Sequence, residues 1–168
     1  MTLQQLILIM CAYLIILIVV IYFTRPTLSR IGGALIGGVV GGCLLLILFI
    51  LGRVYGFWRA SLPSKPSMLM LLYISAAISL APIYLGTWRV ARRFGYSGLT
   101  VFLGVVAIIA PPRDYLIASK YPEWMVFTSG VAPIFADAAA YVGIIMLGHA
   151  VMRFVAGPSH KDRLAQRL

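Results

Sequence analysis

The residue best placed to do chemistry is Asp137, an acid inside the last apolar stretch of the chain. It lies about six residues into that stretch, or about 9 Å deep at 1.5 Å per helical residue. An ionised acid at the centre of a membrane helix costs about 2.5–3.5 kcal/mol, so Asp137 must face protein or water, or carry a proton. Tyr141 lies one helical turn further on the same face. We expect Tyr73 and Ser75, from the third predicted span, at a similar depth, where they could hydrogen-bond to Asp137.

Two roles are open to this group of four polar residues. One is an ion, proton or polar-substrate site, and Pro133 favours it because a bend there opens space for a ligand. The other is a hydrogen-bonded anchor between helices, since such bonds commonly hold membrane helices together. Small residues at 138–140 and Gly143 permit the tight packing that an anchor needs. The residue types alone favour the anchor.

His149 is the second candidate, because a membrane histidine can be an axial ligand to haem or to a chlorophyll-type pigment. It follows Asp137 by 12 residues, about 18 Å along a helix, so the two cannot form a dyad. The only other histidine, His160, lies in the basic tail, so a second axial histidine within the membrane would have to come from another chain. A hydrogen-bonded polar role is therefore the simpler expectation for His149. Cys11 and Cys43 lie in separate apolar segments and are expected to be inert thiols, with no metal site.

Two groups of charged residues lie between the apolar stretches. Arg113, Asp114 and Glu123 could bind a substrate, a lipid headgroup or a partner, but local ion pairs in a solvated loop, worth about 0–1 kcal/mol, are the expected role. The second group could bind anionic lipid at about 1 kcal/mol per base, although setting the topology is its expected role. This group consists of Arg89, Arg92 and Arg93.

The elements that carry these residues are predicted to be membrane helices. The chain has 168 residues, of which 62% are hydrophobic, and its mean hydropathy is +1.01. A bilayer core of about 30 Å needs about 20 apolar residues per helix. We predict an all-α bundle of five transmembrane helices in one domain, residues 1–154, with an interfacial segment before the last helix and a basic cytoplasmic tail. The predicted spans are 3–23, 31–52, 67–88, 96–110 and 131–154; the interfacial segment is 111–130 and the tail is 155–168.

The second predicted span carries a glycine face. Gly33, Gly37 and Gly41 recur at spacing four, and Gly38 and Gly42 do the same on the neighbouring row. Glycines at this spacing flatten one side of a helix, so another backbone can approach closely. The pattern does not tell whether that backbone belongs to this chain, to a second copy or to another subunit.

The net charge of +10 indicates membrane topology and not nucleic-acid binding. On a soluble domain such a charge would suggest nucleic acid, but here the bases lie at the ends of the predicted spans. Nine of them fall on the side of the tail and five on the opposite side. The positive-inside rule then predicts an external N-terminus and a cytoplasmic C-terminus. The expected location is the bacterial plasma membrane.

The favoured function at this level is a non-enzymatic structural or accessory subunit, packed into a larger membrane complex or a homo-oligomer through the glycine face and Asp137. Its partners would be membrane lipids and other subunits. One alternative is a small oligomeric transporter or channel that uses Asp137 as its ion, proton or substrate site. Another is a membrane enzyme with a lipid-like substrate. The sequence disfavours this enzyme, because it shows no histidine cluster, no Ser–His pair in register and no dense set of carboxylates.

Overall fold

The computed structural model describes residues 2–60, 63 and 65–158. Within these described residues, four helices and two short strands make up the fold. They are α1 (Leu3–Thr24), α2 (Leu28–Val54), β1 (Trp58–Ala60), α3 (Pro66–Lys120), β2 (Met125–Phe127) and α4 (Ala132–Ala156). All four helices are long and apolar enough to cross a membrane. The predicted helical membrane architecture is thus confirmed, while most of the predicted tail, 159–168, lies outside the described residues.

Local sequence signals begin and end the first two helices. Thr2 and Gln5 form a capping box at the start of α1, in which each side chain bonds to the other residue's backbone N–H. Arg25, with a φ of 46°, ends α1 in the left-handed region. The Thr27 hydroxyl then caps α2 by accepting the backbone N–H of Arg30 at 3.3 Å.

The predicted count of five separate spanning helices is not confirmed, because the spans 67–88 and 96–110 both fall within α3. The backbone of α3 leaves the helical region at Gly95, where φ is 65° and ψ is −154°, a combination adopted almost only by glycine. After Gly95 the chain runs antiparallel to α4. Tyr96 contacts Arg153 near the end of α4, whereas Asp114 contacts a residue twelve positions closer to its start.

The predicted stop at Pro111 is wrong, because α3 continues through Pro111 and Pro112 to Lys120. Two prolines remove two backbone donors and normally end a helix. Here Pro111 is almost fully buried, and Asp114 in the next turn bonds to α4, so tertiary contacts hold the turn in place. The predicted interfacial segment 111–130 is accordingly half helix, followed by a turn and β2.

The strands β1 and β2 form an antiparallel pair that was not predicted. Trp58 pairs with Phe127 and Ala60 with Met125, and the Thr128 backbone N–H donates to the carbonyl of the residue before β1. Each strand has three residues, too few to show an alternating pattern. The pair joins the α2–α3 and α3–α4 connections at one end of the bundle, which we call the strand end. The opposite end, where Gly95 lies, is the Gly95 end.

The glycine face of α2 packs against helices of the same chain. A Cβ on Gly37 would lie 2.7 Å from the carbonyl oxygen of Gly148 in α4, and a Cβ on Gly38 would collide with the carbonyl oxygen of Ala77 in α3. The side chain of Tyr84 packs against glycines of both α2 and α4 and is fully buried. The predicted close approach therefore occurs, and its partner is this chain.

Candidate functional site

Within the described part of the chain, two cavities that contain ionisable side chains lie along α4, one toward each end of the bundle. The cavity toward the strand end has a volume of about 60 Å³ and is called the acidic cavity because it contains two carboxyl groups. Its lining residues are Leu45, Leu48, Phe49, Trp58, Asp114, Met125, Asp137, Ala140, Tyr141 and Ile144. Apolar side chains from α2 form one wall, and Trp58 and Met125 bring the strand pair over it. The two acids are thus enclosed in apolar surroundings.

Asp137 and Trp58 each bring to the acidic cavity a buried polar atom that has no hydrogen-bond partner among the described residues, Oδ2 and Nε1 respectively. The side chain of Asp137 is 6% exposed. A buried polar atom that lacks a partner is costly, and each such atom in a native protein calls for an explanation. The cavity beside it exceeds the 10–15 Å³ or so that one water needs. Asp137 is thus a carboxyl group with room for a proton, a water or a small cation.

Asp114 is the opposite case, because neighbouring side chains satisfy its charge. Tyr141 donates its hydroxyl hydrogen to Oδ2 of Asp114 at 2.7 Å, and Arg113 donates from Nε to Oδ1 at 2.8 Å. Arg113 also donates to the Tyr141 hydroxyl and lies over its ring. The predicted charged cluster is therefore formed by Arg113 and Asp114. Glu123 is exposed and makes no ion pair within the described part of the chain.

The prediction that Tyr73 and Ser75 bond to Asp137 is wrong. The Tyr73 hydroxyl donates to the carbonyl oxygen of Val39 in α2 at 2.9 Å, and Ser75 donates to the carbonyl of Leu71 in its own helix at 2.8 Å. Similar depth in the membrane does not decide which way a helix face points. Tyr141 does share the cavity with Asp137, as its position one turn further suggested.

The second cavity lies at the Gly95 end, has a volume of about 260 Å³ and is called the basic cavity. Its lining residues are Arg30, Trp88, Ala91, Arg92, Gly95, Tyr96, His149, Arg153 and Pro158. Of the three arginines proposed for lipid contact, only Arg92 lines it, while Arg89 and Arg93 are exposed. Arg30 was missed as a site residue, because a base at the start of a span reads as a topology signal and nothing in the sequence sets it apart.

His149 is hydrogen-bonded within the bundle. The Thr87 hydroxyl donates its only hydrogen to the Tyr84 carbonyl at 2.8 Å, so the contact of 2.9 Å between Thr87 and His149 needs a hydrogen on Nδ1 of the histidine. Nε2 is then the nitrogen left for another partner. Among residues 2–60, 63 and 65–158, no group of three or more His, Cys, Asp or Glu could hold a metal ion. His160, the other histidine, lies outside the described residues.

Buried polar groups lie between the two cavities. The Tyr84 hydroxyl donates to the carbonyl oxygen of Ile144 at 3.2 Å, and Ile144 itself lines the acidic cavity. One turn after Ile144, Gly148 makes room for the Tyr84 ring, and Thr87 bonds to His149 in the basic cavity. The hydroxyl groups of Tyr84 and Thr87, both on α3, thus lie along α4 between the acidic cavity and the second cavity.

Comparison with known proteins gives no further information on this site: no protein family, curated protein or solved structure matches the chain.

Proposed function

We propose that the protein is a small, non-enzymatic membrane transporter or channel in which Asp137 takes up and releases a proton. The observation that carries the proposal is the enclosed Asp137 carboxyl group, whose Oδ2 has no protein partner among the described residues and borders the acidic cavity. A membrane-embedded acid is costly, and where proteins keep one it commonly belongs to an ion path or a proton relay.

The contrast between the two acids supports this role. Asp114 is held by Arg113 and Tyr141, whereas Oδ2 of Asp137, in the same cavity, has no partner among the described residues. Asp137 can therefore exchange a proton while Asp114 stays fixed. Because protein groups already bond to both Asp114 oxygens, this carboxyl group is a poor acid or base for an enzyme acting on lipids.

A path across the membrane requires a matching topology, and we propose five crossings. The parts of α3 before and after Gly95 run in opposite directions, and each exceeds the roughly 20 residues that a crossing needs. The strand end is then extracytoplasmic, and the Gly95 end and the C-terminus are cytoplasmic, in line with the positive-inside rule. The hydroxyl groups of Tyr84 and Thr87 lie on the route between the two cavities.

An accessory subunit is less well supported, because its two proposed contact surfaces are used within the chain. The glycine face packs on α3 and α4, and Asp137 is enclosed by α2, the strand pair and α3. Purification in mild detergent separates these functions. A self-contained transporter yields a defined species without other chains, whereas a subunit co-purifies with them or is degraded in their absence.

The direct test is proton flux through Asp137→Asn. The protein is reconstituted into liposomes that contain the pH-sensitive dye pyranine, and a potassium gradient with valinomycin imposes a membrane potential. We expect the wild type to conduct protons and Asp137→Asn to lower the rate by about tenfold or more, because an amide of the same shape cannot carry the proton.

Glu123→Gln is the matched control, since it removes an exposed acid near the strand end and should leave the flux unchanged. Both variants must elute at the wild-type mass, which a neutral amide at 137 should permit because it is less costly to bury than a charge. A wild-type rate equal to that of empty liposomes contradicts the proposal, as does an unimpaired Asp137→Asn.

A further inference from the structure

Trp58 lies on the route between the strand end of the bundle and Asp137. The α2 side chains of the acidic cavity come from between residues 45 and 49, whereas Trp58 follows the end of α2. The Trp58 side chain is 5% exposed, and with Met125 from the paired strand it covers the cavity on the side of the strand end. Water at this end of the bundle therefore meets Trp58 before it reaches Asp137.

The turn after α2 fixes the backbone position of Trp58. Gly56, with a φ of 72°, lies in the left-handed region, and its N–H donates to the carbonyl of Arg53 at 3.3 Å. The N–H of Phe57 donates to the carbonyl of Gly52 at 2.8 Å. These two bonds form a Schellman motif, which ends a helix and changes the direction of the chain. Trp58 comes next and is held by the pairing of β1 with β2. The backbone is thus fixed on both sides of Trp58, and the ring is the part that can move.

The Trp58 ring lies directly on the backbone of the last turn of α2. A Cβ added to Gly52 would collide with Cε2, Cζ2 and Nε1 of Trp58. The edge of the indole therefore occupies the space that any side chain at residue 52 would need. Phe127 of the paired strand contacts the same ring edge to face, with the two ring centres 6.0 Å apart.

Apolar contacts and an unpaired polar group act on this ring in opposite directions. Nε1 of Trp58 is buried and has no hydrogen-bond partner in the part of the chain that the structure describes. A buried indole N–H usually finds a partner, and an unpaired one raises the free energy of the buried position. Packing on Gly52 and Phe127 favours the closed position of the ring, whereas movement away from Gly52 would let Nε1 bond to water.

We infer that the Trp58 ring is the barrier between water at the strand end and Asp137, and that Asp137 exchanges protons at this end only when the ring leaves Gly52. The inference rests on the proposed function, because it concerns access to the same carboxyl group. Closure of a small element over a reactive group commonly controls when that group meets water. With the ring on Gly52 the acidic cavity is closed, and with the ring displaced it opens to the strand end.

The test measures how well a water-soluble reagent reaches Asp137. The purified chain in mild detergent is treated with a water-soluble carbodiimide and glycine ethyl ester, and peptide mass spectrometry gives the ratio of Asp137 labelling to Glu123 labelling. Glu123 is exposed and serves as the reference within each molecule. We expect Asp137 of the wild type to be labelled far less than Glu123.

Two substitutions open the barrier in different ways. Gly52→Ala displaces the ring by overpacking, and Trp58→Ala removes the ring. Each should raise the labelling ratio by about tenfold, because each disfavours or abolishes the closed position. Gly32→Ala is the matched control on the same helix and should leave the ratio unchanged, because a Cβ on Gly32 meets nothing within 4 Å. Every variant must elute at the wild-type mass, and two opening variants keep the test decisive if one of them fails to fold.

The outcomes separate the barrier from the transport function. Wild-type labelling of Asp137 equal to that of Glu123 overturns the inference, and so does an unchanged ratio in both opening variants. A rise in Gly32→Ala as large as that in Gly52→Ala also overturns it, since it would indicate general loosening of the bundle. Labelling needs no proton flux. A wild type that conducts no protons therefore removes the proposed function, while a raised ratio in the opening variants still establishes the barrier.

Discussion

Alanine substitutions along α2 test the packing of the glycine face in a graded way. A Cβ on Gly32 meets nothing within 4 Å, and one on Gly33 lies 3.1 Å from a backbone oxygen of α4. A Cβ on Gly37 would lie 2.7 Å from a backbone oxygen of α4, and a Cβ on Gly38 would lie closer still to a backbone oxygen of α3. Ordinary contact begins near 3.4 Å, so Gly37→Ala requires two helix backbones to separate by about 0.7 Å.

The expected free energies follow from two opposing effects. Replacing an interior helical glycine by alanine gains about 0.8–1 kcal/mol of helix propensity, and overpacking costs about 1–3 kcal/mol. Gly32→Ala should therefore stabilise the protein by up to about 1 kcal/mol. Gly33→Ala should be nearly neutral. Gly37→Ala should destabilise by about 1 kcal/mol and Gly38→Ala by about 2 kcal/mol, because its clash is the most severe.

The assay is reversible unfolding in mixed micelles by titration with SDS, followed by tryptophan fluorescence and by circular dichroism. All four variants lie within seven residues of one helix, so the order of their effects depends on packing and little on the general properties of α2. Equal effects in all four variants, or stabilisation by Gly37→Ala and Gly38→Ala, would refute the close approach of α2 to α3 and α4.

Two further pairs of substitutions, each a test and its control, probe the acidic cavity and the bend of α3 in the same unfolding assay. Tyr141→Phe removes the hydrogen bond to the carboxyl group of Asp114 and should lower the free energy of unfolding by about 1.5 kcal/mol or more. Tyr115→Phe is the control and should cost almost nothing, because the buried Tyr115 hydroxyl has no partner in the described part of the chain. Equal costs would contradict the bond to Asp114. Gly95→Ala should cost about 1–3 kcal/mol, since its backbone conformation is nearly exclusive to glycine. Gly104→Ala is the control and should leave the stability unchanged or raise it, because Gly104 has open space beside it and ordinary helical geometry. If Gly95→Ala were equally well tolerated, the bend of α3 would not need the glycine conformation at residue 95.

The sequence predicted the features that depend on composition and local spacing. Apolar stretches of sufficient length identified membrane helices, and the glycine spacing identified a close backbone approach. The position of Asp137 predicted only that it faces protein or water or carries a proton, and in the structure its side chain is buried. Each of these conclusions uses only the chemistry of one segment and its solvent.

The features that the sequence did not reveal depend on contacts between distant segments. Tyr73 and Ser75 were expected near Asp137 but bond to the backbone carbonyls of Val39 and Leu71, because the sequence of a single helix does not specify its rotation in the bundle. Pro111 was read as a helix end because its contacts with other helices are not encoded locally. Arg30 looked like a topology signal until α3 and α4 brought other cations beside it.

The pairing of β1 with β2 has a consequence for the order in which the protein is made. Since synthesis proceeds from the N-terminus, β1 leaves the ribosome before any part of α3. The strand with which it pairs, β2, is made only after α3 is complete. The acidic cavity, which Trp58 and Met125 cover from the two strands, can close only then. A nascent chain truncated before Met125 would already contain the glycine contacts between α2 and α3, while its edge strand would still be open to pairing with another chain.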